Sequence, residues 1–550
     1  MNDVAHVIAF DIGTTGAKAC LYAVVKDVEL VAAASTEYPL RLLPDGGVEQ
    51  DPADWWKAVC ADTRKLLADS GLPRDYIAGI AFCCQMQGLV LVDGQGTPVR
   101  PAMSYMDQRA VKEKQAGIEK GIRIAGMNAR KLLPSLLITG GVSASVKDPV
   151  WKYHWVRERE PECFRKVHKW LDAKEYLVHR CTGRFAMTPD SANATFLYDT
   201  RPGRAGWSPL MCRLFDVDPG HLPEVIGPAE LAGPLLVVAA EEMGLAPGTP
   251  VFGGGGDLSL VALGSGAVRV NDTHVYMGTS GWVSAVTDRR VVDTDSYIAS
   301  ILGAQEGRYN YISEQETSGK CLEWVRDHLA LDEDGVYLQH RTVAEDPEGR
   351  YATLFELLDE TIDAVAPGAN GVIFTPWLRG NRSPFEDPAA RGVFFNIGLE
   401  TGKRDLVRAV AEGIALHGKW QLAAIRKKVP ARGPVRFVGG GARSSAMARI
   451  MADALRETVE PVVSPQNAGA LGAAFLCASG LGALGSLEEA RALVPVLGSF
   501  EPDLSRSKVY EEKLEVFQDL YKRNRPSFRK LNGHGPRVTA SGKDAQKLDG

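Results

Sequence analysis

The sequence predicts an α/β protein of two similar domains, each a mixed sheet flanked by helices, with a cleft between them. Three observations carry that expectation. A short apolar strand, a Gly/Thr turn and a second strand open the chain between His6 and Val25, and the same device returns at Val275 to Val286. Between the two copies, Gly253 to Gly256 are four consecutive glycines followed directly by a lone acid, Asp257. And 550 residues are too many for one hydrophobic core.

Composition narrows the function classes. The chain is 45% hydrophobic and 24% charged, with a net charge of -5, which supplies sizeable cores and no sign of general disorder. A mildly acidic chain without a basic stripe argues against nucleic acid as its partner. The nine cysteines are scattered without a C-x-x-C pair, which reads as reduced thiols and not as a zinc site or disulfide frame. No apolar run is long enough to span a membrane and no signal segment is apparent, so a cytoplasmic protein is expected. The oligomeric state is left open, with a homodimer allowed.

Taken in order, His6 to Phe10 and Ala17 to Val25 form a hairpin around Asp11-Ile-Gly-Thr-Thr-Gly, and Glu29 to Ser35 adds a third strand. Asp51 caps a helix that starts at Pro52 and buries Trp55, Trp56, Val59, Leu66 and Leu67. Ile77 to Cys84 is a buried strand that ends in Gln85-Met86-Gln87-Gly88. Residues 110 to 250 read as insertions that shape one cleft wall, with helical pieces at Pro149 to Arg159, Pro161 to His168 and Ala173 to Arg180. After the second hairpin come a long helix from Lys403 to Lys428, a strand from Val435 to Val438 ending in Gly439-Gly440-Gly441, a helix from about Ser444, and a small-residue helix from Ala468 to Ala478. The expected domains are 1–255 and 256–510. Residues 511–550 are read as a C-terminal helix with a mobile tail beyond Asn532.

A hairpin rich in Gly, Thr and Ser aims backbone N–H groups and hydroxyls at one point, an arrangement suited to phosphate oxygens. Two of them can grip a polyphosphate from opposite sides; either alone is also an ordinary tight turn. Asp11 at the lip of the first nest reads as a magnesium ligand or as a turn cap. Asp257 reads as a base that takes a proton from a hydroxyl attacking the γ-phosphate, or as a helix N-cap, and one residue can be both. The glycine run before it is a candidate hinge for domain closure. Two other motifs fail. Gly413 to Lys419 has P-loop spacing, but Trp420 follows where Ser or Thr must reach magnesium, and it lies within a helix. Gly480 to Gly485 fits G-x-G-x-x-G, but a helix precedes it where a strand is needed, so it reads as an inter-helix turn.

Together these motifs resemble the FGGY family of carbohydrate kinases, in the actin-like (ribonuclease H-like) superfold, from about residue 5 to 500. Asp11-Ile-Gly-Thr-Thr-Gly, Asp107-Gln-Arg109, Cys181 to Asp199, Gly254 to Asp257, Gly278-Thr-Ser-Gly281 and Gly439 to Ala442 occur in the family's order. One signature pattern runs through Pro149, Lys152, Tyr153, Trp155, Val156 and Glu158, departing at Lys147 and Arg159. The other runs through Gly392, Phe394, Ile397, Asp405, Leu406, Ala409 and Glu412, departing at Asn396 and Ala411. The resemblance implies ATP and Mg2+, Asp257 as catalytic base, and Asp11 beside the metal. It makes Gly13, Thr14, Thr15, Gly278 and Thr279 phosphate-side residues, and Gly319, Glu323, Gly440, Gly441 and Ser445 nucleotide-side ones. Gly319 also reads as a helix-start glycine and Ser445 as an N-cap.

For the sugar, Met86 and Gln87 occupy the position of the family's sugar-contacting pair, whose second member is usually His in pentulose kinases. Leu258 follows Asp257 where Asn or Gln is common. Asp107 and Arg109 either touch the sugar or form an internal ion pair. Trp151, Trp155 and Trp282 are sugar platforms or core. The implied substrate is a ketopentose such as xylulose. Gluconate, ribulose, erythritol and glycerol are the alternatives, and an ATP-binding regulator of the same superfold is the reading outside enzymes.

Overall fold

Apolar runs that bury both faces build the first sheet. Along the strand Ala5–Ile12 (β1), Val7 and Ala9 enter one core while Ile8, Phe10 and Ile12 enter another, so the strand lacks polar alternation. The computed structural model describes residues 5–24, 28–329 and 354–533. In it β1 turns into Gly16–Val24 (β2), which pairs antiparallel with Val28–Glu37 (β3). On its other side β1 runs parallel to Ile77–Cys84 (β4). Leu231–Pro234 (β5) forms the far edge against Pro250–Phe252 (β6); β6 and the two-residue strand Gly255–Gly256 (β7) both lie parallel to β4.

The second sheet repeats this plan. Asp272–Met277 (β8) turns into Gly281–Thr287 (β9), with Ala299–Leu302 (β10) and Tyr309–Gln315 (β11) continuing antiparallel beyond β9. Arg432–Val438 (β12) and Val459–Pro461 (β13) extend the β8 side in parallel. The order β3-β2-β1-β4-β6 of the first half therefore corresponds to β11-β9-β8-β12-β13 of the second. The repeated Gly/Thr hairpin is the part of this duplication that the sequence displays.

Helices cover both sheets. Asp51 caps Pro52–Ser70 (α1) by accepting from the Ala53 N–H at 3.0 Å, and Gly71 ends the helix in the left-handed region. Pro149–Arg159 (α2) sits in a separate insertion core with Leu89, Leu91 and Trp170, while Ala173–Thr182 (α3) packs beneath the first sheet. Then follow Asp257–Ser265 (α4), Gly319–His328 (α5), Leu354–Asp363 (α6), Lys403–Arg426 (α7), Ser445–Leu455 (α8), Ala468–Gly480 (α9) and Leu504–Asn532 (α10). The rejected P-loop pattern lies inside α7. The C-terminal helix begins at Leu504, not near 511, and Tyr510, Phe517, Leu520, Tyr521 and Phe528 bind it into the core of the second half. The tail expected beyond Asn532 lies, from residue 534, outside the described residues.

The halves meet at α4 and α9. Helix α9 packs on β1 and β4 of the first sheet, although it lies late in the chain. A side chain on Gly264 would overlap the Ala468 carbonyl, and one on Gly472 the Leu260 carbonyl. Backbone thus touches backbone, and only glycine permits it. The expected boundary at 255/256 falls inside β7. The hinge reading of the glycine run is corrected too. The Gly253, Gly254 and Gly256 N–H groups donate to Glu230 O, Pro228 O and Asp190 Oδ2 at 3.0, 2.9 and 2.7 Å, clamping the run into the first half.

Candidate active site

Strand register brings the two acids together. Asp11 pairs with Cys83 on β4, and Cys83 pairs with Gly255 on β7. Asp11 is thus two strand spacings, about 10 Å between Cα atoms, from Gly255, and Asp257 follows two residues later at the start of α4. Both acids lie at the carboxyl ends of parallel strands, the edge where α/β sheets bind ligands. Helix α9 closes over Asp11: a Cβ on Gly469 would stand 2.8 Å from Asp11 Oδ2 and 2.9 Å from Cys83 Sγ.

Both carboxyl groups are half-buried and hold their protons more tightly than usual. For Asp11 burial outweighs the opposing charge of Lys18, its partner across the hairpin. For Asp257 burial is the largest cause and the charge of Asp11 the next, with Glu314 and Asp172 adding to it and the Leu258 N–H opposing, and its pKa is pushed up to about 8. That N–H reaches Oδ1 at 2.9 Å. Oδ2 has no donor among the described residues. Asp257 is therefore seated by its own helix start, with Oδ2 left unpaired among the described residues.

The hairpins are held from behind. In the first, the Gly13 N–H donates to Gly16 O at 2.9 Å, the Tyr38 hydroxyl donates to Gly13 O at 2.6 Å, and Gln50 Nε2 donates to Thr14 O at 2.9 Å. Thr14 Oγ1 lies 3.3 Å from the Tyr105 hydroxyl, and Thr15 is exposed. In the second, the Gly278 N–H donates to Ser280 O at 3.0 Å and Thr279 is exposed. The Gly319 N–H donates to Gly278 O at 2.7 Å, so Gly319 starts α5 and braces the hairpin at once. Glu323, one turn on, pairs with Lys320 at 2.5 Å. At the third turn a side chain on Gly440 would meet open space, while Gly441 packs on Met277. Ser444, not Ser445, caps α8, accepting from the Met447 N–H at 2.9 Å. The Ser445 N–H and hydroxyl both donate to Asp359 Oδ2, at 2.8 and 3.0 Å.

On the wall where the sugar is expected, Met86 is buried against Gly256, and Gln87 has a φ of 63°. Two buried charges fix this turn. Lys152 Nζ donates to Gln87 O and Ser104 O, each at 2.8 Å, and Asp172 accepts from the Gly88 N–H at 3.0 Å. Burial lowers the Lys152 pKa to about 7 against the pull of Asp107, Asp172 and Asp148, and burial aided by Glu175 raises Asp172 to about 7.

Asp107 departs from the sugar-contact reading. It is fully buried, its carboxylate accepting from Arg109 Nη2 at 2.7 Å and from the Val48 N–H at 2.9 Å. Arg109 also reaches Glu49 at 2.7 Å and lies 4.3 Å from the Trp155 ring centre. The pair is internal, and Trp155 is the platform of an arginine. Trp151 and Trp282 are buried as well.

Asp190 went unread in the sequence. Its Oδ2 accepts from the Gly256 N–H at 2.7 Å and the Ser259 hydroxyl at 2.5 Å, the residues that bracket Asp257. Its Oδ1 accepts from Thr188 Oγ1 and the Ser191 N–H. No local pattern marks its contact with the start of α4, because Gly256 and Ser259 lie more than sixty residues away. Lys18 could have been found by counting register across the first hairpin.

Among the described residues no cluster of three metal-binding side chains occurs, and no helix is long and apolar enough to cross a membrane. Residues 6–264 match the N-terminal domain of the FGGY family of carbohydrate kinases, and residues 274–481 match its C-terminal domain. A xylulose kinase of Escherichia coli (strain K12) is 29% identical over 523 residues, covering 94% of this chain and 99% of that protein. A gluconokinase of Bacillus subtilis (strain 168) is 25% identical, covering 94% and 95%. The crystal structure of a xylulose kinase from Rhodospirillum rubrum superposes with a TM-score of 0.78 at 26% identity, covering 95% of this chain and 100% of that one.

Proposed function

The chain belongs to the FGGY family of carbohydrate kinases, a sugar kinase of actin-like fold that uses ATP, and from that premise we propose that its acceptor is a neutral ketopentose, xylulose first, with Asp257 as general base. One observation carries the role of Asp257: the carboxyl group at the head of α4 keeps Oδ2 unpaired beside Asp11. In the reaction the acceptor hydroxyl gives its proton to the ionised form of Asp257, whose share grows as pH rises through 8, as its oxygen bonds the γ-phosphorus. The bond from that phosphorus to the β-phosphate oxygen breaks, and ADP leaves. Thr14, Thr15 and Thr279 offer hydroxyls and N–H groups to the phosphates from opposite sides, with Gly278 shaping the second turn. Gly440, Gly441 and the α8 start lie on the nucleoside side, with Glu323 near the base or ribose.

Asp11 fits a magnesium ion: a half-buried hard-oxygen donor with a second acid beside it, in a site of few protein ligands. Such an ion would neutralise phosphate charge. Met86 and Gln87 face the sugar, Gln87 offering both a donor and an acceptor. The nine unpaired thiols suit the reducing cytoplasm.

Substrate charge separates the two sugar readings. The charges of Asp11, Glu314 and Asp172 reach Asp257, and a carboxylate-bearing acceptor would add a further like charge there. Gluconate stands as the second reading because of the gluconokinase relative. The test is ADP release with xylulose, ribulose, gluconate, erythritol and glycerol. The highest kcat/KM belongs to xylulose on this account. A preference for gluconate would support the second reading, and slow sugar-independent hydrolysis would abandon the kinase for a regulator.

A further inference from the structure

Tyr276 lies in β8, two residues before Gly278, and pairs with Trp282 across the second hairpin. Strand β8 alternates: Val275 and Met277 enter the core of the second half, so Tyr276 points the other way, toward the core shared with α4, α9 and the first sheet. Its ring is stacked on Trp282, with centroids 3.9 Å apart and planes 14° from parallel. Trp282 is fixed in turn by donating its indole N–H to His274 Nε2 at 2.9 Å. The phenol folds back over Gly278, whose missing side chain leaves the room that the hydroxyl occupies. The ring is rigidly held and half-buried, and its hydroxyl lies against the turn that offers N–H groups to phosphate. That hydroxyl has no hydrogen-bond partner among the described residues.

The surroundings are those of the reaction. Asp11, Asp257, Cys83 and Tyr105 all act electrostatically on the phenol, and burial with these neighbours keeps it protonated throughout the working pH range. A half-buried hydroxyl that lies against the Gly278 turn with no protein acceptor among the described residues is free to donate to a ligand bound at that turn. Carboxylates are near, but an anionic phosphoryl group beside Gly278 is the acceptor that brings its own oxygens to the hairpin. We propose that the Tyr276 hydroxyl donates a hydrogen bond to an oxygen of the transferring γ-phosphoryl group, making Tyr276 a catalytic residue that stabilises the charge of transfer. The proton stays on the phenol throughout. The proposal rests on the phosphoryl-transfer reading above.

Tyr276→Phe tests it, since phenylalanine keeps the stack on Trp282 and the packing over Gly278 while removing only the donor. The readouts are kcat with xylulose, KM for the sugar, ADP affinity, affinity for ADP with aluminium fluoride in the presence of sugar, and Tm. The expected result is a kcat loss on the order of a hundredfold, matched by weaker binding of the aluminium fluoride complex. Sugar KM, ADP affinity and Tm stay close to wild type. A kcat loss below tenfold, or a loss matched by equal weakening of ADP or sugar binding, would overturn the assignment. Wild-type protein without sugar-stimulated ADP release would instead overturn the kinase reading and take this inference with it.

Discussion

Asp11 and Asp257 stand on either side of one strand: Cys83 pairs with Asp11 across one edge of β4 and with Gly255, two residues before Asp257, across the other. In the proposed mechanism the acid for phosphate and metal and the acid for the acceptor hydroxyl are thus held by one sheet, Asp257 at the helix start directly after β7. Each raises the proton affinity of its neighbourhood, and Asp11 is the second-largest cause of the raised Asp257 pKa after burial.

That coupling gives a pH prediction. Asp257 titrates near 8 in the fold, against 3.8 for an ordinary aspartate. The folded state thus binds the proton more tightly than the unfolded chain, and the Asp257 contribution to stability is complete below about pH 4 and lost as pH rises through 8. Asp257→Asn removes this loss. In magnesium-free buffer the Tm of the variant exceeds that of wild type by a margin that widens from pH 5 to pH 9; a constant margin would contradict the shift.

In the proposed mechanism Asp190 positions the base through Gly256 and Ser259 without touching substrate. Asp190→Asn leaves one of its acceptor sites facing the Gly256 N–H or the Ser259 hydroxyl with the wrong partner, letting the start of α4 drift. The expected outcome is a kcat loss of roughly ten- to a hundredfold, since misplacement of about 1 Å costs that order, with the KM for ATP little changed. Asp190→Ala falls further and Asp190→Asn partly restores it. Equal losses in kcat and in ATP binding would mark Asp190 as merely structural.

Lys152 acts on the sugar wall. Lys152→Met keeps the apolar stem and removes the donor to Gln87 O and Ser104 O. The Met86-Gln87 turn then loses its clamp, and the KM for xylulose rises several-fold more than kcat falls. Steady-state kinetics with sugar and ATP varied separately read this directly.

Gly472→Ala tests the contact between halves. The added methyl meets the Leu260 carbonyl, and the two helices must part. Overpacking of this kind costs about 1–3 kcal/mol, read as a lower midpoint in urea with an unchanged m-value. Sugar-dependent compaction in small-angle scattering, expected for wild type, is reduced in the variant.

What the sequence displayed was local. Gly/Thr hairpins, the Gly253 to Asp257 run and the cap at Asp51 are fixed by residues within a few positions of one another, and their spacing can be read directly. Asp190, Lys152 and Asp172 act on backbone groups that are their neighbours only after folding, and a lone buried charge in an insertion has no spacing to betray it. Asp107 illustrates a different difficulty. Asp-x-Arg is the same string whether the acid faces a sugar or forks onto its own arginine, and only burial separates the two. The glycine run read as a hinge for a related reason, because glycines needed for close packing look like glycines needed for motion.

The most direct test of the account is pre-steady-state phosphoryl transfer by Asp257→Ala with saturating ATP and xylulose, alongside equilibrium binding of ATP to the same protein. The account predicts transfer slowed by roughly a thousandfold or more, with ATP affinity within about threefold of wild type. Transfer at a rate close to wild type would contradict it and remove Asp257 as the base.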